Sequence, residues 1–499
     1  MSDFRPQLSL AFDSPADETA DWLVLGGWED GPANPAWTAL DERLAGLLTK
    51  LTAAEDFTGK ANSTLTIPAP RGIKAKRLLL VGLGKHSKAS RRSLHDAAAT
   101  ALRIITTRKF DRIVLALPKS TSVSPDEMLL AFGVGAVQGS IGPDVRRSEP
   151  SRHPPREIVL AAPSSGKRAA FKSLLHRAQV EAEALTLARH LVNAPPCDLY
   201  PETFAAQTAE IARKVGLEYE IWDDRRLAAE NMGAIIGIAQ GSTRPARFAV
   251  LRYQGGGSRT LAYVGKGVTF DSGGLSLKTN EQMLDMKCDM AGAATVLAAT
   301  QAVAQLKLPI NLLTVMPLVE NMPSGYAVKL GDVLKARNGK TIEILNTDAE
   351  GRVILADALA YVAEQKVNHI VDLATLTGAC MIALGTEIAG LMSNDTVWST
   401  VVSDAIERAG ERAWQLPMDE DFEEALKSKV ADCKNAPGVR YGGAITGGKF
   451  LEQFVNGIPW VHLDIAGPAW ADKDSAAKDS GGTGAYVRGL IELAHAYSA

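Results

Sequence analysis

The chain is 499 residues long, enough for two or more domains whose cores need no covalent staples. Hydrophobic residues at 46% and charged residues at 22% are ordinary globular usage, which excludes disorder, collagen-like structure and a disulfide scaffold. There are 54 Lys and Arg against 57 Asp and Glu, and the resulting net charge of −3 gives no basic field for nucleic acid or acidic membranes.

The first residues, Met1–Glu18, lack a basic region followed by a long apolar core, so no signal peptide is expected. Strand patterns follow at Trp22–Trp28, Arg77–Gly82, Arg112–Leu117 and Glu157–Ala162. Helical patterns lie between them at Leu40–Leu51, Arg91–Lys109 and Ser124–Gly135. This alternation predicts a parallel or mixed sheet covered by helices. Leu79–Lys85 places two glycines after a strand, but residue 87 is Ser and no acid stands near 102–106. It reads as a tight turn and not a dinucleotide site.

Pro143–Arg156 is polar and Pro-containing and reads as a surface connection. An amphipathic stretch, Lys167–Val192, runs into Asn193-Ala194-Pro195-Pro196, whose prolines end a connecting helix. Strand patterns resume at Tyr219–Trp222, Phe248–Tyr253, Thr260–Val264, Ile310–Leu318 and His369–Leu373. The expected class is therefore α/β: a smaller N-terminal α/β domain over 1–165, a linker helix within 166–200, and a larger α/β domain with a mixed sheet over 201–499. The longest uncharged run, Met290–Leu306, is Ala-rich and contains Gln301 and Gln305; it reads as a buried helix, not a membrane span. Cys197, Cys288, Cys380 and Cys433 lie far apart with no CxxC, as in a reducing compartment, so a soluble cytoplasmic protein is expected.

Charge concentrates in three segments of the second domain. In Val264–Lys278 a strand runs into a Gly-rich loop carrying Lys266, Asp271 and Lys278. In Asp285–Ala293, Asp289 opens the Ala-rich helix. In Asn346–Arg352, Asp348 and Glu350 precede another helix. Ligands of open α/β sheets bind beyond the carboxyl ends of strands. In an extended stretch Asp348 and Glu350, two apart, would face one point, with Arg352 on the same side. Together with Asp271 and Asp289 they make four carboxylates, which raise one another's pKa unless cations neutralise them. Two divalent ions match that charge, and oxygen donors suit Mn²⁺ and Mg²⁺ and are accepted by Zn²⁺. Singly, Asp289, Asp348 or Glu350 could instead cap a helix, and the GKG of Lys266 could hold a phosphate, although the Walker pattern is absent. Spacing alone yields a carboxylate cluster and no reaction.

NTDAEGR at Asn346–Arg352 resembles the signature of the leucyl aminopeptidase family, the hexameric two-metal cytosol aminopeptidases. VGKGVTFDSGGLSLK, MKCDMAGAATV, ENMPSG (Glu320–Gly325), DLATLTGA (Asp372–Ala379), GGAITGGKFLEQFV (Gly442–Val455) and HLDIAG (His462–Gly467) resemble other family segments in the same order. The resemblance runs from Asn193 to the C-terminus and implies a peptidase that hydrolyses N-terminal residues with a broad, leucine-like preference. It assigns Lys266, Asp271, Asp289, Asp348 and Glu350 as ligands of two divalent ions (Mn²⁺ or Zn²⁺, with Mg²⁺ as a third choice). Lys278 and Arg352 become non-ligand catalytic residues, with bicarbonate near Arg352. Met286, Thr375 and Gly378 would line the pocket for the first side chain. The implied partners are peptides with a free N-terminus and five further copies of the chain.

Other features carry less. No HExxH occurs, His462 near Asp464 reads as a satisfied core pair, and Cys288 has no histidine beside it in sequence. Two alternatives are a DNA-binding regulator on the same scaffold, for which only Arg146–Arg156 is locally basic, and a binding module without catalysis, against which all seven expected site residues are present.

Overall fold

The computed structural model describes residues 6–30, 35–162, 168–439 and 441–498. The first five residues, the expected boundary at 165/166 and Lys167, which starts the linker pattern, lie outside these. The chain divides into two compact units, Met1–Thr186 with Lys473–Ser480, and Leu187–Asp472 with Gly481–Ala499. The fold is mixed α/β in both, as expected.

The first unit is built on β1 (Gln7–Ala11), β2 (Trp22–Gly27), β3 (Thr64–Pro68), β4 (Arg77–Gly82), β5 (Arg112–Ala116) and β6 (Glu157–Ala161). Their order is β1-β6-β5-β2-β4-β3, and only β3 is antiparallel to its neighbour. Leu23, Leu25, Leu78, Leu80, Val114 and Val159 form one core face with Leu40, Leu44 and Leu48. The sequence pattern missed the two edge strands. β3 alternates half-buried and exposed residues and ends in a proline, as suits an edge. The helix expected at Leu40–Leu51 is broken into Pro35–Arg43 and Leu47–Ala53, because Ala45 and Gly46 adopt left-handed φ of 54° and 74°. The helices Arg91–Ile105 and Pro125–Ser140 begin where Ser90 and Ser124 cap them through reciprocal side-chain bonds. The helix Arg168–Asn193 then carries the chain into the second unit.

The second unit contains β7 (Glu218–Trp222), β8 (Arg247–Gln254), β9 (Thr260–Gly265), β10 (Gly267–Asp271), β11 (Asn311–Asn321), β12 (Val333–Lys335), β13 (Thr341–Glu343), β14 (His369–Ala374), β15 (Ala389–Ser393), β16 (Ala413–Gln415), β17 (Cys433–Lys434) and β18 (Trp460–Asp464). The main sheet runs β16-β15-β18-β14-β9-β11-β8-β7, with β10 paired to β11. Its centre, β18-β14-β9-β11, is parallel; β8, β7 and β15 join antiparallel, so the sheet is mixed as expected. Central strands are buried almost throughout, which parallel strands covered on both faces require. The Ala291–Gln305 helix is buried from Ala291 to Ala304 apart from Gln301, as its composition predicts. Among the described residues no helix is long and apolar enough to cross a membrane.

Candidate active site

The carboxyl ends of the parallel strands converge on one cluster. Lys266 follows β9 directly. Its N–H donates to Leu373 O (3.0 Å) and its carbonyl accepts from Ala293 N (2.9 Å), so its backbone is clamped between β14 and the start of the Ala291–Gln305 helix. Gly292 permits that approach, since a Cβ there would lie 2.1 Å from Leu373 O. The Lys266 side chain is buried; its Nζ donates to Asp289 Oδ1 (2.7 Å) and Thr375 O (2.8 Å) and is ion-paired with Glu350 Oε1 at 2.9 Å. Gly351 leaves room for it; a Cβ there would stand 2.5 Å from Lys266 Cε.

Asp271 ends β10, past a register shift between Val268 and Phe270 that re-aims the strand end. Its Oδ1 accepts from Gly273 N (2.9 Å) and Asn321 Nδ2 (2.8 Å), and its Oδ2 from Lys278 Nζ (2.8 Å). Lys278 Nζ also pairs closely with the half-buried Asp348. Asp289 Oδ1 accepts from Thr375 Oγ1 at 2.7 Å. One oxygen each of Asp271, Asp348 and Glu350 can lie within 4.8 Å of the others. Asp289 Oδ2 and Glu350 Oε2 are buried with no hydrogen-bond partner.

Burying so much charge in one place has electrostatic consequences. Burial pushes the Asp271, Asp289 and Asp348 carboxyls above their ordinary range, with repulsion from neighbouring carboxylates adding to it and the lysines opposing it. Burial also disfavours the charged forms of Lys266 and Lys278, but the carboxylates around them outweigh it and raise both. The arrangement fits divalent cations: hard oxygen donors, net negative charge, and buried carboxylate oxygens left without protons to accept. Asp289, Asp271, Glu350 and Lys266 are nine-tenths or more buried.

The expected residues do not all meet in the expected way. Asp348 and Glu350 converge through a turn and the first residue of the Glu350–Ala363 helix, not along an extended strand. Asp289 lies in the short turn of helix Met286–Met290, two residues ahead of the Ala-rich helix it was expected to open. Arg352 does not share the carboxylates' hydrogen bonds: its Nη1 donates to Asn435 O (3.1 Å), its Nε has no partner, and burial lowers its pKa. Thr375 joins the cluster. Met286 is half-buried, and Gly378 is exposed at the start of the Gly378–Leu384 helix with open space where a Cβ would point. His462 pairs with Asp372 across the β14–β18 register (Nδ1 to Oδ1 2.6 Å), not with Asp464. Cys288 is buried and its thiol is pushed up to about 12 by burial and by Asp289 and Asp285, a poor nucleophile.

Two asparagines that sequence reasoning passed over hold the cluster together. Asn321 Nδ2 bridges Asp271 Oδ1 and Thr347 O (2.9 Å), tying two acid-bearing loops. Asn435 Oδ1 accepts from Leu345 N (2.9 Å), and its Nδ2 donates to Asn346 O (2.6 Å), pinning the loop before Asp348. A lone Asn at a strand end carries no sequence signal for such a role.

The catalytic-domain model of the cytosol aminopeptidase family matches residues 186–491, and the family's N-terminal-domain model matches 24–150. A probable cytosol aminopeptidase of Rhodopirellula baltica is 42% identical, covering 97% of this chain and 96% of its own. One from Thermosynechococcus vestitus is 43% identical over 91% of this chain and 92% of its own. Among solved structures, a mutant of tomato leucine aminopeptidase superposes with a TM-score of 0.90 at 35% identity, covering 99% of this chain and 98% of its own. The bottromycin maturation enzyme BotP in complex with Mn gives a TM-score of 0.86 at 35% identity, covering 96% of this chain and 100% of its own. Matched by family models in both units and by relatives along nearly its whole length, the chain belongs to the cytosol aminopeptidase family.

Proposed function

We propose that this family member is a two-metal exopeptidase that removes single residues, with a broad leucine-like preference, from peptides with a free N-terminus. The observation that carries the reading is the cluster at the carboxyl edge of the main sheet, where Lys266 and four carboxylates meet and two buried carboxylate oxygens lack partners. Lys266, Asp271, Asp289, Asp348 and Glu350 would hold two divalent ions, Mn²⁺ or Zn²⁺ or, third, Mg²⁺. The Mn complex of BotP supports a divalent-ion site of this kind. Bound there, the ions would supply Lewis-acid polarisation of the scissile carbonyl and a water of lowered pKa.

The chain's own groups do the rest. Lys278 would present its ammonium to the negative charge that develops at the carbonyl oxygen. Arg352, held by Asn435 O, would support proton transfer, and its unpartnered Nε suits a small anion such as bicarbonate. Asp289 would hydrogen-bond the substrate's α-amine, whose pKa of about 7.7–8.0 makes the neutral form available near pH 7. Met286, Thr375 and Gly378 would receive the first side chain. An apolar pocket separates side chains differing by a methylene by only about 1–3 kcal/mol, hence the breadth of preference. A cytoplasmic homohexamer completes the reading, supported by family membership alone. No observation favours DNA binding.

The test is a kinetic panel of Leu-, Met-, Ala-, Asp- and acetyl-Leu-amides, run before and after chelation and with Mn²⁺, Zn²⁺ or Mg²⁺ restored. Cleavage of the free-amine apolar substrates that vanishes on chelation and returns with metal is expected. Cleavage of acetyl-Leu-amide at the rate of Leu-amide, or full activity in a sample shown to be metal-free, would refute it.

A further inference from the structure

The loop Thr375–Thr377 connects β14 to the Gly378–Leu384 helix and is held at both ends. Its first residue is fastened to the carboxylate cluster, with Thr375 Oγ1 on Asp289 and Thr375 O on Lys266. Its other end is fastened by one side chain, Asp464, the last residue of β18. In the parallel register Asp464 lies opposite Ala374, the last residue of β14, so its carboxylate sits under the departing loop. Oδ1 accepts from Leu376 N (3.2 Å) and Thr377 N (3.4 Å), and Oδ2 accepts from Thr377 Oγ1 (2.6 Å). Ala466 N adds a fourth bond to the carboxylate, at Oδ1 (3.2 Å). Thr377 Oγ1 in turn accepts from Cys380 N (3.0 Å) and caps the helix.

Asp464 is fully buried and makes no ion pair among the described residues. A buried carboxylate is costly unless it is hydrogen-bonded, and here three of its four bonds go to this loop. A turn that needed only a cap would be served by Thr377 itself. Asp464 instead fixes the height of the main chain between Thr375 and Gly378, the segment assigned above to receive the substrate's first side chain.

We propose that Asp464 is a positioning residue, which sets the Thr375–Gly378 loop against the carboxylate cluster through Leu376 N, Thr377 N and Thr377 Oγ1 and thereby governs how the substrate's first residue is received. It touches neither the substrate nor the proposed metal ligands, so losing it should weaken substrate binding while leaving the metals and the chemical step in place. This inference rests on the peptidase reading.

The experiment compares full-length wild type, Asp464→Ala, Asp464→Asn and Thr377→Val for Leu-amide kinetics with saturating Mn²⁺, metal content per chain, and amide hydrogen exchange over 374–380. Asp464→Ala and Thr377→Val should each raise KM about tenfold, with kcat within about twofold and metal content unchanged. Exchange at Leu376 and Thr377 should quicken in Asp464→Ala. Asp464→Asn keeps the shape and an acceptor for the two N–H groups, and should return KM to within about threefold of wild type. Should Asp464→Ala fail to fold, Thr377→Val decides. Unchanged KM in both, or a fall in kcat with loss of metal, overturns the proposal. A wild-type chain that cleaves no free-amine amide refutes the peptidase reading; faster exchange with unchanged KM refutes the positioning role alone.

Discussion

In the first unit the parallel strands end in Gly26-Gly27, Val81-Gly82, Leu115-Ala116 and Leu160-Ala161; in the second they run out into Lys266, Asp271, Asn321, Thr375 and Asp464. Both sheets are dominated by parallel strands with buried aliphatic residues, and both have an edge where a ligand could bind. The difference lies in the last residue or two of each strand. In the first unit these are glycine or apolar, and among the described residues no acidic cluster able to hold a metal forms there; in the second they gather carboxylates, amines and amides. Architecture offers the place, and a few terminal residues decide whether chemistry occupies it.

That contrast can be broken most sharply at the cluster. Asp289→Ala and Glu350→Ala should each lose nearly all Leu-amide hydrolysis together with at least one metal per chain, read by elemental analysis. Retained activity would mean that the cluster is not the site. Next in size, Lys278→Ala and Arg352→Ala should keep both metals and lower kcat by roughly 10²-fold or more. Normal kcat in both would remove their roles. In the first unit, Ile113→Val on buried β5 should cost about 1 kcal/mol of stability in thermal melts, with kcat per folded chain unchanged. A change in kcat or metal content there would show that the first unit is more than a scaffold.

The smallest effect concerns pH and the β14–β18 pair. Burial lowers the pKa of His462, but the Asp372 carboxylate beside it outweighs burial and leaves it raised. The folded chain then binds that proton more tightly than the unfolded chain. The resulting stability is complete below about pH 6.5 and is lost as pH rises through the folded pKa. His462→Gln should flatten this part of the curve, measured as melting temperature between about pH 6 and 9.

What the sequence disclosed follows from where the information is local. β4 is found at the expected Arg77–Gly82, and β9, β11 and β14 within a few residues, because a buried parallel strand is a short continuous apolar run. β1 and β3 were missed because each pairs on one side only and alternates polar with apolar residues over just five positions. The charged residues of the cluster were visible as types in Gly-rich loops and at helix starts. Their convergence was not: Asp348 meets Glu350 through a turn, and the paths of Lys266 and Lys278 between carboxylates depend on chain segments dozens of residues apart. Asn321 and Asp464 lie in the quoted segments ENMPSG and HLDIAG, but their roles, like that of Asn435, were not legible, since each acts on main chain or side chains brought near by the fold.

The missing side chain at Gly351 has a consequence for how the protein can be improved or can drift. Alanine is the better helix former by up to about 1 kcal/mol, and the atoms it would crowd belong to the flexible end of Lys266, so the chain could fold around it. A selection for thermal stability would therefore have reason to accept Gly351→Ala. The same methyl would push the lysine amine away from Glu350. At this position the demand for a sturdier helix and the demand for a correctly set amine pull in opposite directions, and glycine records which of them has prevailed.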